Sequence, residues 1–121
     1  VTLHHIFSAE ERYASRFSST EPKKWLGEIE KPSLTQLRNR AKASGNALCE
    51  AARQAKAGKV IHSVFDSKNW AINIEVLFVQ VINHANEHRA QVMTTMTQIG
   101  VEPPDLSGWA WAEALKKMSV K

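Results

Sequence analysis

Cysteine occurs once, at Cys49, so an internal disulfide is excluded and the thiol fits a reducing compartment. No apolar run approaches the ~20 residues needed to cross a bilayer. The longest candidate, residues 72–82, is interrupted by Asn73, Glu75 and Gln80. No basic, then apolar, then small-residue leader opens the chain. These absences predict a soluble, cytoplasmic domain with no membrane partner. Excess charge is also scarce: 16 Lys and Arg against 12 Asp and Glu leave +4, well short of a dedicated nucleic-acid binder. What is present is a hydrophobic fraction of 43% in 121 residues, enough for one packed interior and one domain, residues 1–121. The first residue is not Met and falls inside a helical pattern, so further N-terminal sequence is expected.

Residues 1–17 read as a helix, with Leu3, Ile6, Phe7, Tyr13, Ala14 and Phe17 at spacings of three and four. Ser18 to Pro22 stop it, and residues 23–32 connect to the next. Ser33 with Gln36 three residues on has capping-box spacing. A stripe of Leu34, Leu37, Ala41, Ser44, Leu48, Ala51 and Ala55 follows, and Gly58 is expected to end that helix. Residues 59–66 (KVIHSVFD) are short and β-branched and read as an extended crossover. From about Trp70 to Ile99 there is neither Pro nor Gly, and Gly100 supplies a C-terminal stop. Pro103 and Pro104 break the chain again. Asp105 or Ser107 can cap a last short helix, through about Met118, that carries Trp109 and Trp111. The expected fold is all-α, an up-and-down four-helix bundle with one extended crossover, its remaining long helix lying upstream of Val1 or coming from a partner chain.

On a helical wheel, Trp70, Ile74, Leu77, Val81, His84, His88, Val92, Thr95 and Ile99 fall within about 80° of one another. His84 and His88 therefore stand side by side in a stripe expected to be buried. Two neutral imidazoles at that spacing can reach one divalent cation at ~2.0–2.1 Å. They can equally hydrogen-bond to buried backbone or water and do nothing more. The glutamate of an H-E-x-x-H helix is missing, since Ala85 follows His84. A third ligand would come from His4, His5 or His62. His5 shares a flank with Val1, Ser8 and Ala9, small residues that leave room for an ion, although the most apolar face of that helix centres on Leu3, Glu10 and Phe17. His62 reads as an edge residue. Gln91, three residues beyond His88, is placed to hold a ligand's second nitrogen, and Glu10 and Glu87 are candidate bases or hydrogen-bond acceptors near the metal.

The stretch 81–104 (VINHANEHRAQVMTTMTQIGVEPP) resembles the DinB/YfiT-like family of metalloenzymes, whose diagnostic helix reads roughly N-H-x-x-x-H-R-x-Q. Here that is Asn83, His84, His88, Arg89 and Gln91, with the family-like I-G-V-x-P-P from Ile99. The opening LHHIFSAEERYASRF resembles the family's second helix, and matching Ile6, Ser8, Ala9 and Glu10 behind it selects His5 over His4. The resemblance implies a four-helix bundle, often dimeric, with His5, His84 and His88 holding a divalent metal and the first helix lying upstream. Glu87 stands where the family commonly has another histidine, and Ala90 replaces a common glycine. Neither change removes a ligand, but both leave the subfamily and substrate open.

Three neutral nitrogens leave a Zn, Ni, Mn or Fe ion an open position, the mark of a catalytic site. The resemblance to thiol-dependent relatives implies a transferase using a low-molecular-weight thiol, with a hydrolase beside it. The alternative is a stress-associated metal- or small-ligand-binding bundle without turnover. Residues 31–59 carry seven basic side chains against Glu50 alone, but no recognition-helix signature or stacking aromatic array accompanies them, and nucleic acid is not the expected partner. Cys49, on an Ala-rich helix, is expected to be a small packing residue, and Trp109 and Trp111 to close a core or dimer face.

Overall fold

The computed structural model describes residues 1–118. The elements in chain order are α1 (Thr2–Ser18), a 3₁₀ turn (Leu26–Glu28), α2 (Leu34–Gln54), β1 (Val60–Phe65), β2 (Lys68–Asn73), α3 (Ile74–Gln98) and α4 (Gly108–Ala114). Two units are distinguished, Val1–Arg89 and the part from Ala90 onward.

The all-α expectation is corrected. β1 and β2 form an antiparallel hairpin in which Ile61 faces Ile72, Ser63 faces Trp70 and Phe65 faces Lys68. Its two-residue turn, Asp66 and Ser67, has φ of 52° and 57°, the left-handed pair that matches strand twist in a type I′ connection. The second strand takes four residues from the expected third helix, so Trp70 is not helical. Its indole N–H instead donates to the Phe65 carbonyl at 3.1 Å, and it is 47% exposed. The helix begins at Ile74, whose N–H donates to Lys59 O at 2.8 Å. The expected buried stripe is accordingly shorter. Ile74 and Leu77 are buried, Val81, His84, His88 and Val92 are half-buried, and Thr95 and Ile99 are exposed. Val76, Val79 and Ile82, on another face of α3, are exposed as well.

Alternation along the hairpin places Ile61, Ser63 and Phe65 with Trp70 and Ile72 on one face. Ile61 joins Ile74 and Leu77 in the core, with Tyr13, Phe17, Ile72 and Phe78 packed against them. The Phe17 and Phe78 rings stack at 4.6 Å between centroids.

The capping box at α2 is formed as expected: Ser33 Oγ accepts from Gln36 N at 3.2 Å and Gln36 Oε1 accepts from Ser33 N at 2.9 Å. The helix ends at Gln54, before Gly58, whose φ of 75° serves the turn into β1. Of the α2 stripe Leu37 and Ser44 are buried, Leu34 is 75% exposed, and Cys49 is exposed, not packed. Ser107 caps α4 by accepting from Ala110 N at 3.2 Å, and Asp105 Oδ1 takes the Ser107 N–H at 2.8 Å. That helix ends at Ala114, short of Met118, and Trp109 and Trp111 are exposed.

One polar knot fixes α1 against its surroundings. Glu11, largely buried, pairs through Oε1 with Arg40 of α2 and accepts the Leu26 N–H on Oε2 at 2.7 Å. Arg40 also donates to Lys24 O at 2.9 Å, and Leu26 is wholly buried. Removing Glu11 leaves a half-buried guanidinium and a backbone N–H unmatched. Glu11→Ala is therefore expected to cost about 2–4 kcal/mol in urea unfolding, whereas Arg53→Ala, which breaks the exposed Arg53–Glu50 pair, should stay within about 0.5 kcal/mol. Equal effects of the two would show the knot to be no more than a solvated pair.

Candidate metal centre

α1 lies backbone-close to α2 but meets α3 through long side chains. Into that gap α1 places His5, and α3 places His84 and His88 one turn apart. The ring centroids are 4.5 Å apart for His84 and His88, 4.7 Å for His5 and His88, and 5.4 Å for His5 and His84. Each ring offers one nitrogen such that the three lie within 4.8 Å of one another, a group that could hold a metal ion. His5 is exposed and the other two are half-buried, so the cluster opens to solvent on the α1 side.

The donor chemistry fits a cation. Nδ1 of His84 is buried with no hydrogen-bond partner among the described residues. An orphaned buried nitrogen is an uncommon expense in a folded chain, about 1–3 kcal/mol, and an ion removes it. Burial, first, and then the nearby His88 and His5 hold the His84 imidazolium unfavourable and its pKa below the ordinary 6.5, against a smaller opposing effect of Glu87. At neutral pH that ring is a neutral ligand.

The neighbouring histidines have other work. His4, the alternative third ligand, points away and donates from Nε2 to the Leu26 carbonyl at 2.9 Å, tying α1 to the 3₁₀ turn. His62 is exposed on β1, opposite Ala71. Glu10 is half-buried, and burial raises its carboxyl pKa while Arg89 pulls it back. Glu87 is exposed. Gln91 is exposed in the unit from Ala90 onward, and its carbonyl accepts from Thr95 Oγ1 at 2.9 Å.

Two residues beside the cluster had no role assigned by sequence reasoning. Tyr13 presents its ring edge-on to His84 at 5.7 Å and accepts a hydrogen bond from Gln80 Nε2 at 3.2 Å. The available signal was spacing: Tyr13 lies eight residues after His5 along α1, and Gln80 four before His84 along α3.

The family model described as DinB family matches residues 1–116. Comparison with curated proteins and with solved structures found no match. No described helix is long and apolar enough to cross a membrane.

The lowered pKa of His84 has a stability consequence whose sign is fixed. Below about 6.5 the unfolded chain takes up a proton at this residue that the folded chain resists, so stability falls as pH drops and is fully retained above. Urea midpoints of the metal-free protein should be flat between about pH 8 and 7 and decline from about 6.5 towards 5. His84→Gln should flatten part of that decline; an unchanged slope would contradict the buried-imidazole account.

Proposed function

The chain belongs to the DinB family, and from that premise we propose that it is a divalent-metal-dependent enzyme of thiol-transferase or hydrolase type, with His5, His84 and His88 as the ligands. The observation that carries this reading is the convergence of three imidazoles from two helices around a buried nitrogen that lacks a protein partner among the described residues. A Zn, Ni, Mn or Fe ion held by His5, His84 and His88 would supply Lewis-acid chemistry, lowering the pKa of a water or thiol bound to it.

The chain's own contribution is positioning and proton handling. The Glu11 knot and the His4 bond to Leu26 fix the rotation of α1, and with it the direction of His5. Tyr13 walls one side of His84 and limits water access to its ring. Glu10, a half-buried carboxyl on α1 whose proton affinity burial raises, is the candidate base in this reading. Exposure of His5 leaves a route for a small substrate, for which a low-molecular-weight thiol is the proposed co-substrate.

Protein purified without chelators or metal-affinity columns should carry close to one equivalent of a first-row metal. His84→Ala and His88→Ala should each weaken metal binding by at least ~100-fold and abolish the metal-dependent rise in thermal midpoint. Less than about a tenth of an equivalent, with no uptake of added Zn, Ni or Mn, defeats the proposal. Metal uptake with no turnover across thiol and ester substrates favours the non-catalytic binding protein.

A further inference from the structure

A cavity of about 460 Å³ lies between α1 and the inner face of the hairpin, within the size range of small-molecule sites. Its walls are mostly apolar, with the rings of Tyr13, Phe65 and Trp70 among them, and its polar side chains are Arg12, Arg16, Ser63 and Gln80. An adjoining cavity of about 360 Å³ shares Arg12, Arg16, Ser63 and Phe65, so the two arginines stand on a wall common to both.

Both guanidiniums lie over aromatic rings. Arg16 sits over Tyr13 at 5.5 Å and over Phe65 at 5.9 Å, and Arg12 over Trp25 at 5.3 Å. A cation–π contact of this kind restrains the group and leaves its N–H donors available to a ligand. Among the described residues no carboxylate or carbonyl accepts from either edge, including Glu21 in the adjoining cavity. By contrast, Arg40 and Arg53 are paired with Glu11 and Glu50. Two pre-oriented, unpaired forks beside a cavity of aromatic rings match a planar carboxylate carried on a flat apolar body.

The cavity also adjoins the histidines. Ala9 on its wall is one turn from His5, Gln80 is one turn from His84, and Tyr13 touches both Gln80 and His84. The geometry points to this cavity as a binding site for a small aromatic carboxylate, its anionic end on Arg12 and Arg16 and its ring among Phe65, Trp70 and Tyr13. That the ligand is a substrate rests on the metal-enzyme reading; that it binds does not.

The test uses 2-naphthoate and its neutral counterpart 2-naphthamide, titrated into the whole protein by calorimetry at low salt. The acid should bind at least about tenfold more tightly than the amide, since fork-to-carboxylate hydrogen bonds are the difference between them. Arg12→Gln and Arg16→Gln should each bring the acid towards the amide's affinity, with Arg16→Lys recovering only part. Phe65→Ala should weaken acid and amide alike, and Arg53→Gln, at an arginine that lines neither cavity, should leave the acid's affinity within about twofold. The wild-type comparison of acid and amide needs no variant to fold. Equal binding of acid and amide, or no binding of either at about millimolar concentration, overturns the inference; so does indifference to both Arg12→Gln and Arg16→Gln, or an equal loss of acid binding in Arg53→Gln. Metal content of the same samples separates the two readings. Full metal with no naphthoate binding sinks the cavity alone, and naphthoate binding by a protein that takes up no metal sinks the metal proposal alone.

Discussion

Three imidazoles within about five ångströms of one another are a poor way to fill the space between two helices. Each brings two polar nitrogens into a region where an aliphatic pair would pack without polar demands, and protonation of one raises the cost of protonating the next. The rest of the α1–α3 seam shows the contrast, since one end is closed by Phe17 on Phe78 and by the Ile61, Ile74 and Leu77 cluster. The histidine end gives up that packing and leaves Nδ1 of His84 buried and without a partner among the described residues. A site that sacrifices packing for converging donors is organised around something that accepts from them or coordinates to them.

Holding that arrangement falls to the other side of α1. Helical periodicity puts His4, Ser8 and Glu11 on one flank and His5, Ala9 and Tyr13 on the next. The first flank is spent on fixation: His4 bonds to Leu26 O, Glu11 accepts Leu26 N–H and pairs with Arg40, and Ser8 Oγ bonds back to His4 O at 2.6 Å. The second flank faces the gap. A short 3₁₀ turn whose Leu26 is gripped at both its N–H and its C=O thereby sets the rotation of a 17-residue helix. Adjacent histidines, one residue apart, end up as clamp and candidate ligand because they lie about 100° apart around that axis.

Much of this was legible beforehand, for identifiable reasons. The capping pair Ser33 and Gln36, the Gly100 stop and the four-residue step from His84 to His88 are local, and local signals survive folding. His5 was chosen over His4 by resemblance; the wheel helped little, and the bond that occupies His4 spans 22 residues. The hairpin was missed because its turn is Asp66–Ser67 with no glycine, and because β2 runs into α3 without a break. In residues 70–77 an apolar residue at nearly every third or fourth place satisfies a helix, while Trp70 and Ile72 satisfy a strand equally well. Pairing with the β-branched residues of β1 settles the competition, and that is tertiary information.

The hairpin changes what the helices enclose. Had residues 59–73 been only a connector and a helical turn, no ring-bearing sheet face would oppose the Arg12 and Arg16 side of α1. With it, Tyr13 stands between the imidazole cluster on one side and the cavity lined by Arg12 and Arg16 on the other. An ion among the imidazoles would add to the positive field of the arginines, and Glu10 is the half-buried carboxyl on the same helix. Such a field favours an anion over a neutral ligand in the cavity, and favours the deprotonated form of any acid bound near the imidazoles. Binding selectivity on one side and activation of a thiol or water on the other would then draw on the same electrostatics, which is why the cavity and the cluster belong in one account of this fold.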